Sequence, residues 1–131
     1  MPSIANLSLQ NDAANAVVGT ALVPSAGDSV AAQWRVETSK PPFARTAISM
    51  MSRFNTKRTA RHLDVKISMP ITATDTTTSQ EVLIATALFS GTLILPTNVP
   101  STATDDLVAY VKTFFADAGV VAALKAGYAP T

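Results

Sequence analysis

Apolar and polar residues alternate strictly over one stretch of the chain, His62 to Met69. Leu63, Val65, Ile67 and Met69 point one way; His62, Asp64, Lys66 and Ser68 point the other. A period of two marks a half-buried β-strand. Just ahead of it stand Arg53, Lys57, Arg58 and Arg61. The stretch predicts a sheet surface that is apolar beneath and positively charged above.

The rest of the chain falls into place around it. Leu7–Gln10 alternates weakly, Asn11-Asp12 reads as a turn, and Ala16–Val23 reads as a second strand, so the amino terminus predicts a hairpin. Pro24 to Asp28 is a break. A strand is expected over Ser29–Thr38 around Trp34, the only tryptophan and a candidate core or interface anchor. Ser39-Lys40-Pro41-Pro42 is a rigid connector, because each proline lacks a backbone N–H donor and fixes φ.

The next strand spans Arg45 to Asn55. Ile48, Met50 and Phe54 face inward, with Ser52 falling among them; Arg45, Ser49, Met51, Arg53 and Asn55 face outward. Asn55 to Thr59 supplies the turn into the Arg61–Pro70 strand. Ile71–Gln80, ITATDTTTSQ, has little to bury and predicts a polar loop. Glu81–Leu95 is the longest apolar run and a final strand, with Ala85, Ala87, Phe89, Gly91, Leu93 and Leu95 on one face.

The period then changes to that of a helix. Thr102 and Asp105 fit a capping box, and Asp105 with Asp106 suits the positive end of a helix dipole. Leu107, Tyr110, Val111, Phe114 and Phe115 share one helical face. After an interruption at Asp117-Ala118-Gly119, a short helix is expected over Val120–Ala126, stopped by Gly127. Strands followed by helices predict an α+β fold, with helices segregated to one face of an antiparallel sheet, in a single domain over 1–131.

Composition sharpens this picture. Charged residues make up only 15% of the chain against 47% hydrophobic, which favours an oligomer that covers part of its surface. Net charge is +1, yet residues 35–66 hold eight cations against two acids, a net of +6, while the remainder has two cations against seven acids, a net of −5. That asymmetry fits a polyanion partner; a solvated face with scattered cations is the alternative. There is no cysteine, hence no disulfide or thiolate metal site, and no apolar run of membrane-spanning length. The amino terminus lacks the pattern of a signal peptide.

No catalytic constellation is visible. His62 is the only histidine, so zinc and iron sites and a histidine-based triad lack ligands or partners. The five glycines form no phosphate-cradling loop. Catalytic residues, metal and cofactor are all read as none.

Four segments, taken in order, resemble the coat proteins of the single-stranded RNA bacteriophages, the leviviruses. ARHLDVKISMP is similar to the family's basic strand ending in proline, and ITATDTTTSQEV to its variable loop. LFSGTLILPTNVPSTATDDLVAYVKTFF matches its final strand and first helix, and GVVAALKAGY its closing helix. Before Ala60 only the layout is shared. The resemblance implies an amino-terminal hairpin, a five-stranded antiparallel sheet and two helices, in an interlocked dimer with one continuous ten-stranded sheet. Such dimers build an icosahedral shell that packages single-stranded RNA in the virion, assembled in the host bacterium's cytoplasm. The dimer also represses replicase translation by binding an RNA hairpin.

Anchored on Pro70, the resemblance places Lys66, His62, Arg53 and Ser49 on the RNA face, and Ser90 and Thr92 are polar contacts near Leu88, which replaces an aromatic. Lys57, Arg58 and Arg61 join them through the cationic cluster. Asp64 stands where many members of the family have a threonine; an acid repels phosphate. Leu107, Tyr110, Val111 and Phe114 are assigned to the dimer interface, and Thr72, Thr74, Asp75, Thr76, Thr77 and Thr78 to a loop between dimers. Partners are thus a second copy and RNA, with no membrane and no small-molecule substrate. A free dimeric RNA-binding regulator, or a small enzyme or carrier using the sheet as a pocket, are the competing readings.

Overall fold

The computed structural model describes residues 3–36 and 40–130. The expected strand end at Thr38 and the start of the connector at Ser39 lie outside the described residues. The chain divides into two compact units, Met1–Ile94 and Leu95–Thr131. The first is a six-stranded sheet in sequential order: β1 (Leu7–Gln10), β2 (Ala16–Val23), β3 (Ala32–Val36), β4 (Thr46–Phe54), β5 (Ala60–Thr74) and β6 (Glu81–Pro96). It is antiparallel, and the amino-terminal hairpin contributes two of the six strands instead of standing apart. The second unit holds α1 (Ser101–Ala116) and α2 (Ala118–Ala126).

Alternation decides which face is buried. Ala21 lies opposite Trp34, Trp34 opposite Ile48, and Ile48 opposite Ile67. Trp34 and Ile48 of this row form the buried core with Val36; Ala21 and Ile67 pack against it, with Ile4, Leu7, Leu9, Val17, Ala32 and Met50. The Trp34 indole Nε1 donates to the Ala5 carbonyl at 2.9 Å, which ties the amino-terminal segment across the sheet and satisfies a buried donor. Gly19 pairs with Leu7, and a Cβ there would come within 3.1 Å of the leucine Cβ. Glycine lets β1 approach closely at that point.

Each turn carries its own chemistry. Asn55 accepts from the N–H groups of Thr59 and Ala60 at 2.8 and 3.2 Å and closes the β4–β5 turn. The expected loop over Ile71–Gln80 is shorter in the structure, because β5 runs on past Pro70 to Thr74. Ile71 and the threonines are β-branched and favour extended backbone. Only Asp75 to Gln80 remains as a turn: the Asp75 N–H donates to Gln80 O at 2.7 Å and the Ser79 N–H to Asp75 O at 2.8 Å. The Asp75 side chain accepts from the Thr77 N–H at 2.8 Å. That bond leads the interactions holding the Asp75 carboxyl below its ordinary range. Ionised Asp75 therefore stabilises the fold above the unfolded pKa of about 4, and the contribution fades as pH falls through the depressed folded value. The stability gap between wild type and Asp75→Asn, measured by urea unfolding, is expected to narrow on acidification below about pH 4.

The helix starts differ from the sequence expectation. α1 begins at Ser101 directly after Pro100, with no side-chain cap, so Thr102 and Asp105 form no capping box. Asp105 and Asp106 fall in the second turn, past the exposed N–H groups where the dipole acts. α2 begins at Ala118, two residues earlier than expected. Asp117 is both the break and the cap, accepting from the Gly119 and Val120 N–H groups at 2.9 and 3.2 Å. Gly127 ends α2 at φ 76°, a left-handed conformation suited to glycine.

Candidate nucleic-acid interface

The outward face of β3, β4 and β5 is built by the same alternation that buries Trp34 and Ile48. Gln33 lies opposite Ser49 and Arg35 opposite Ala47; Ser49 in turn faces Lys66, Met51 faces Asp64, and Arg53 faces His62. Ser49, Arg53, His62 and Lys66 thus share one face, as expected. Gln33, Arg35, Ala47, Ser49, Lys66 and Ser68 line an open groove of about 240 Å³. Of these, only Ser49 and Lys66 were expected; Ala47 and the polar Gln33, Arg35 and Ser68 were not singled out as site residues. The positions of the polar three, flanking buried Trp34 and half-buried Ile67, were the available signal.

Asp64 sits at the centre of this face. One carboxylate oxygen accepts from Arg53 Nε at 2.9 Å, the other from the Thr92 hydroxyl at 2.7 Å. Three strands are thereby joined through a single side chain. The Thr92 hydroxyl first, and then Arg53, hold the Asp64 carboxyl below the usual carboxylate range. Thr92 is therefore on the cationic face, and Ser90, two residues away on the same strand, shares its side.

Arg58 and Arg61 belong elsewhere. Arg61 faces Phe54 in the β4–β5 register, on the side of Leu63 and not that of Lys66. Its guanidinium lies 4.4 Å from the Phe54 ring centroid and donates to Asp28 at 2.8 Å. Arg58, in the turn at φ 54°, stacks over the same ring at 5.8 Å. Lys57 is exposed in that turn. The cations are split: Arg53 and Lys66 occupy the face beside His62, while Lys57, Arg58 and Arg61 occupy the tip and its far side.

Two further regions carry exposed apolar surface. β6 has Val82, Leu83, Ile84, Leu88, Phe89 and Ile94 all at 42% exposure or more, and it is the last strand of the sheet. Neither face of the run Ala85 to Leu95 is buried, contrary to the pattern of a core strand. In the second unit no residue of α1 or α2 is buried. Leu107, Tyr110, Val111 and Phe114 are exposed by 38, 68, 40 and 57%. Among the described residues no group of three or more metal-ligating side chains is found, and no single helix is long and apolar enough to cross a membrane.

No family model and no curated protein sequence matches the chain. Solved structures do. The virus-like particle of Beihai levi-like virus 21 superposes with a TM-score of 0.84 over 99% of both chains at 11% identity. That of bacteriophage NT-214 gives 0.80 over 98% of both at 18% identity. The bacteriophage GA protein capsid gives 0.70 over 95% of both at 15% identity. Sheet and helices are matched alike, so from end to end this chain has the fold of the single-stranded RNA phage coat proteins.

Proposed function

We propose that this chain is a viral coat protein that pairs with a second copy, assembles into an icosahedral shell and packages single-stranded RNA. The observation that carries the reading is the whole-length likeness to proteins solved as capsids and virus-like particles. The fold it shares with them is that of a structural protein, not an enzyme. Two features of the chain support the self-association. No residue of either helix is buried, and an amphipathic helix in water gains little stability until its apolar stripe is covered. β6 presents a free sheet edge, which a symmetric partner can pair in a continuous sheet. Leu107, Tyr110, Val111 and Phe114 would be covered by the partner, and the Asp75–Gln80 turn with Thr72 and Thr74 would lie between dimers. The virion is its place of residence.

RNA is the polyanion that fits the cationic face. Lys66 and Ser49 flank the groove as a phosphate-neutralising cation and a hydroxyl, with Arg35 on the adjoining strand. Repression of translation through an RNA hairpin is the further role this face could serve.

Electron microscopy of the purified protein tests the assembly, with the ratio of absorbance at 260 and 280 nm reporting packaged nucleic acid. Shells containing RNA are expected. A stable dimer without particles would replace the coat reading by that of a free RNA-binding regulator, and empty shells would refute packaging. For the face itself, Lys66→Ala is expected to weaken RNA binding and to flatten the dependence of log affinity on log salt by about 0.7 per lost contact. An unchanged slope would move the RNA off this groove.

A further inference from the structure

Among the described residues the sheet face carries one acid, Asp64, and each of its oxygens accepts a hydrogen bond. Asp64 lies on β5 two residues from His62 and two from Lys66, so all three share a face. Its two oxygens are divided between Arg53 on β4 and Thr92 on β6. The Arg53 contact is made through Nε at 2.9 Å, with both side chains part-exposed, at 42 and 28%. An ion pair in that setting is weak and exchangeable, so a phosphate could in principle take the arginine. Thr92 changes the balance. Its hydroxyl donates to the other carboxylate oxygen and restricts the orientations Asp64 can take away from Arg53, so the intramolecular competitor stays close to the arginine.

We propose that Asp64 is a specificity-determining residue: pinned by Thr92, it occupies Arg53, withholds that arginine from bound RNA, and confines phosphate contacts to the Lys66–Ser49–Arg35 groove. The inference rests on the RNA-binding reading above. Of the two cations that β4 and β5 place on the face, Arg53 and Lys66, Arg53 is then the silent one. Binding is weaker and less salt-dependent than the count of cations implies, and the nucleic acid is held along one flank of the sheet. Arg35 differs from Arg53 here. Among the described residues its guanidinium donates to neutral acceptors, the Trp34 carbonyl at 3.0 Å and the Gln33 side chain at 3.5 Å, and no described carboxylate pairs with it.

A double-mutant cycle on the assembled protein's dimer separates this from simple charge repulsion. Oligouridine binding is measured against salt for wild type, Arg53→Ala, Asp64→Asn and the double variant; asparagine keeps the shape and the acceptor for Thr92. In wild type, Arg53→Ala is expected to change affinity by less than about two-fold, since its charge is already compensated by Asp64 through Nε. In the Asp64→Asn background the same change should cost about five-fold or more and flatten the salt slope by about 0.7. Asp64→Ala, which removes the acceptor altogether, should reproduce that coupling. Equal losses from Arg53→Ala in both backgrounds would overturn the proposal and leave Asp64 as a repulsive charge only. If neither wild type nor the Asp64 variants bind oligouridine while Lys66→Ala is equally inert, the RNA reading itself fails, and this inference with it.

Discussion

Phe114→Asp is expected to yield a folded chain that no longer pairs or assembles. Phe114 is 57% exposed in the single chain, stacked edge-on to Phe115 at 5.4 Å, and borders an apolar groove with Val120, Ala123, Leu124 and Tyr128. In one chain an aspartate there remains in contact with water and costs little. Covered by a partner, the same carboxylate is an unpaired buried charge, worth on the order of 3 kcal/mol or more against association. That corresponds to a dimer dissociation constant raised at least about 100-fold. Analytical ultracentrifugation reads the loss directly, and electron microscopy the absence of shells. Dimers of unchanged affinity would show that this stripe faces solvent in the assembly.

The second large effect is on folding. Trp34→Ala removes the side chain at the centre of the β2–β3–β4 row, 8% exposed, together with the hydrogen bond that ties the amino-terminal segment to the sheet. Truncation of a buried aromatic costs about 3–5 kcal/mol. Against a total of about 5–15 kcal/mol for a domain, the variant is expected to be largely unfolded or to melt at a much lower temperature, as seen by circular dichroism. Trp34→Phe retains most of the burial and should recover the greater part of the loss. A full-strength melt for the alanine variant would mean that the core lies elsewhere.

Much of this fold was legible from spacing alone. The alternation of Leu63, Val65 and Ile67 fixed which side of β5 is apolar, and the residues flanking Trp34 followed the same rule. Local signals failed where a neighbour overrode them. Thr102 and Asp105 have cap spacing, but Pro100 starts α1 before them. The polar composition of Ile71–Thr74 suggested a loop, while its β-branched backbone continued a strand. For the site, parity already placed Arg61 with Leu63. Grouping it with Arg53 as one cationic cluster set that parity aside, and the structure pairs it instead with Asp28 and Phe54. The Arg53–Asp64–Thr92 arrangement depends on cross-strand register and on β6 lying beside β5, and neither is written in the local sequence.

The bare outer strand has a consequence for how such a chain must live. With one edge unpaired and large apolar side chains in water along most of its length, β6 makes the newly made monomer a poor tenant of dilute solution. Where a mate supplies the missing cover, mass action couples endurance to abundance: the melting temperature rises with protein concentration, and scarcity favours clumping or proteolysis over accumulation of lone subunits.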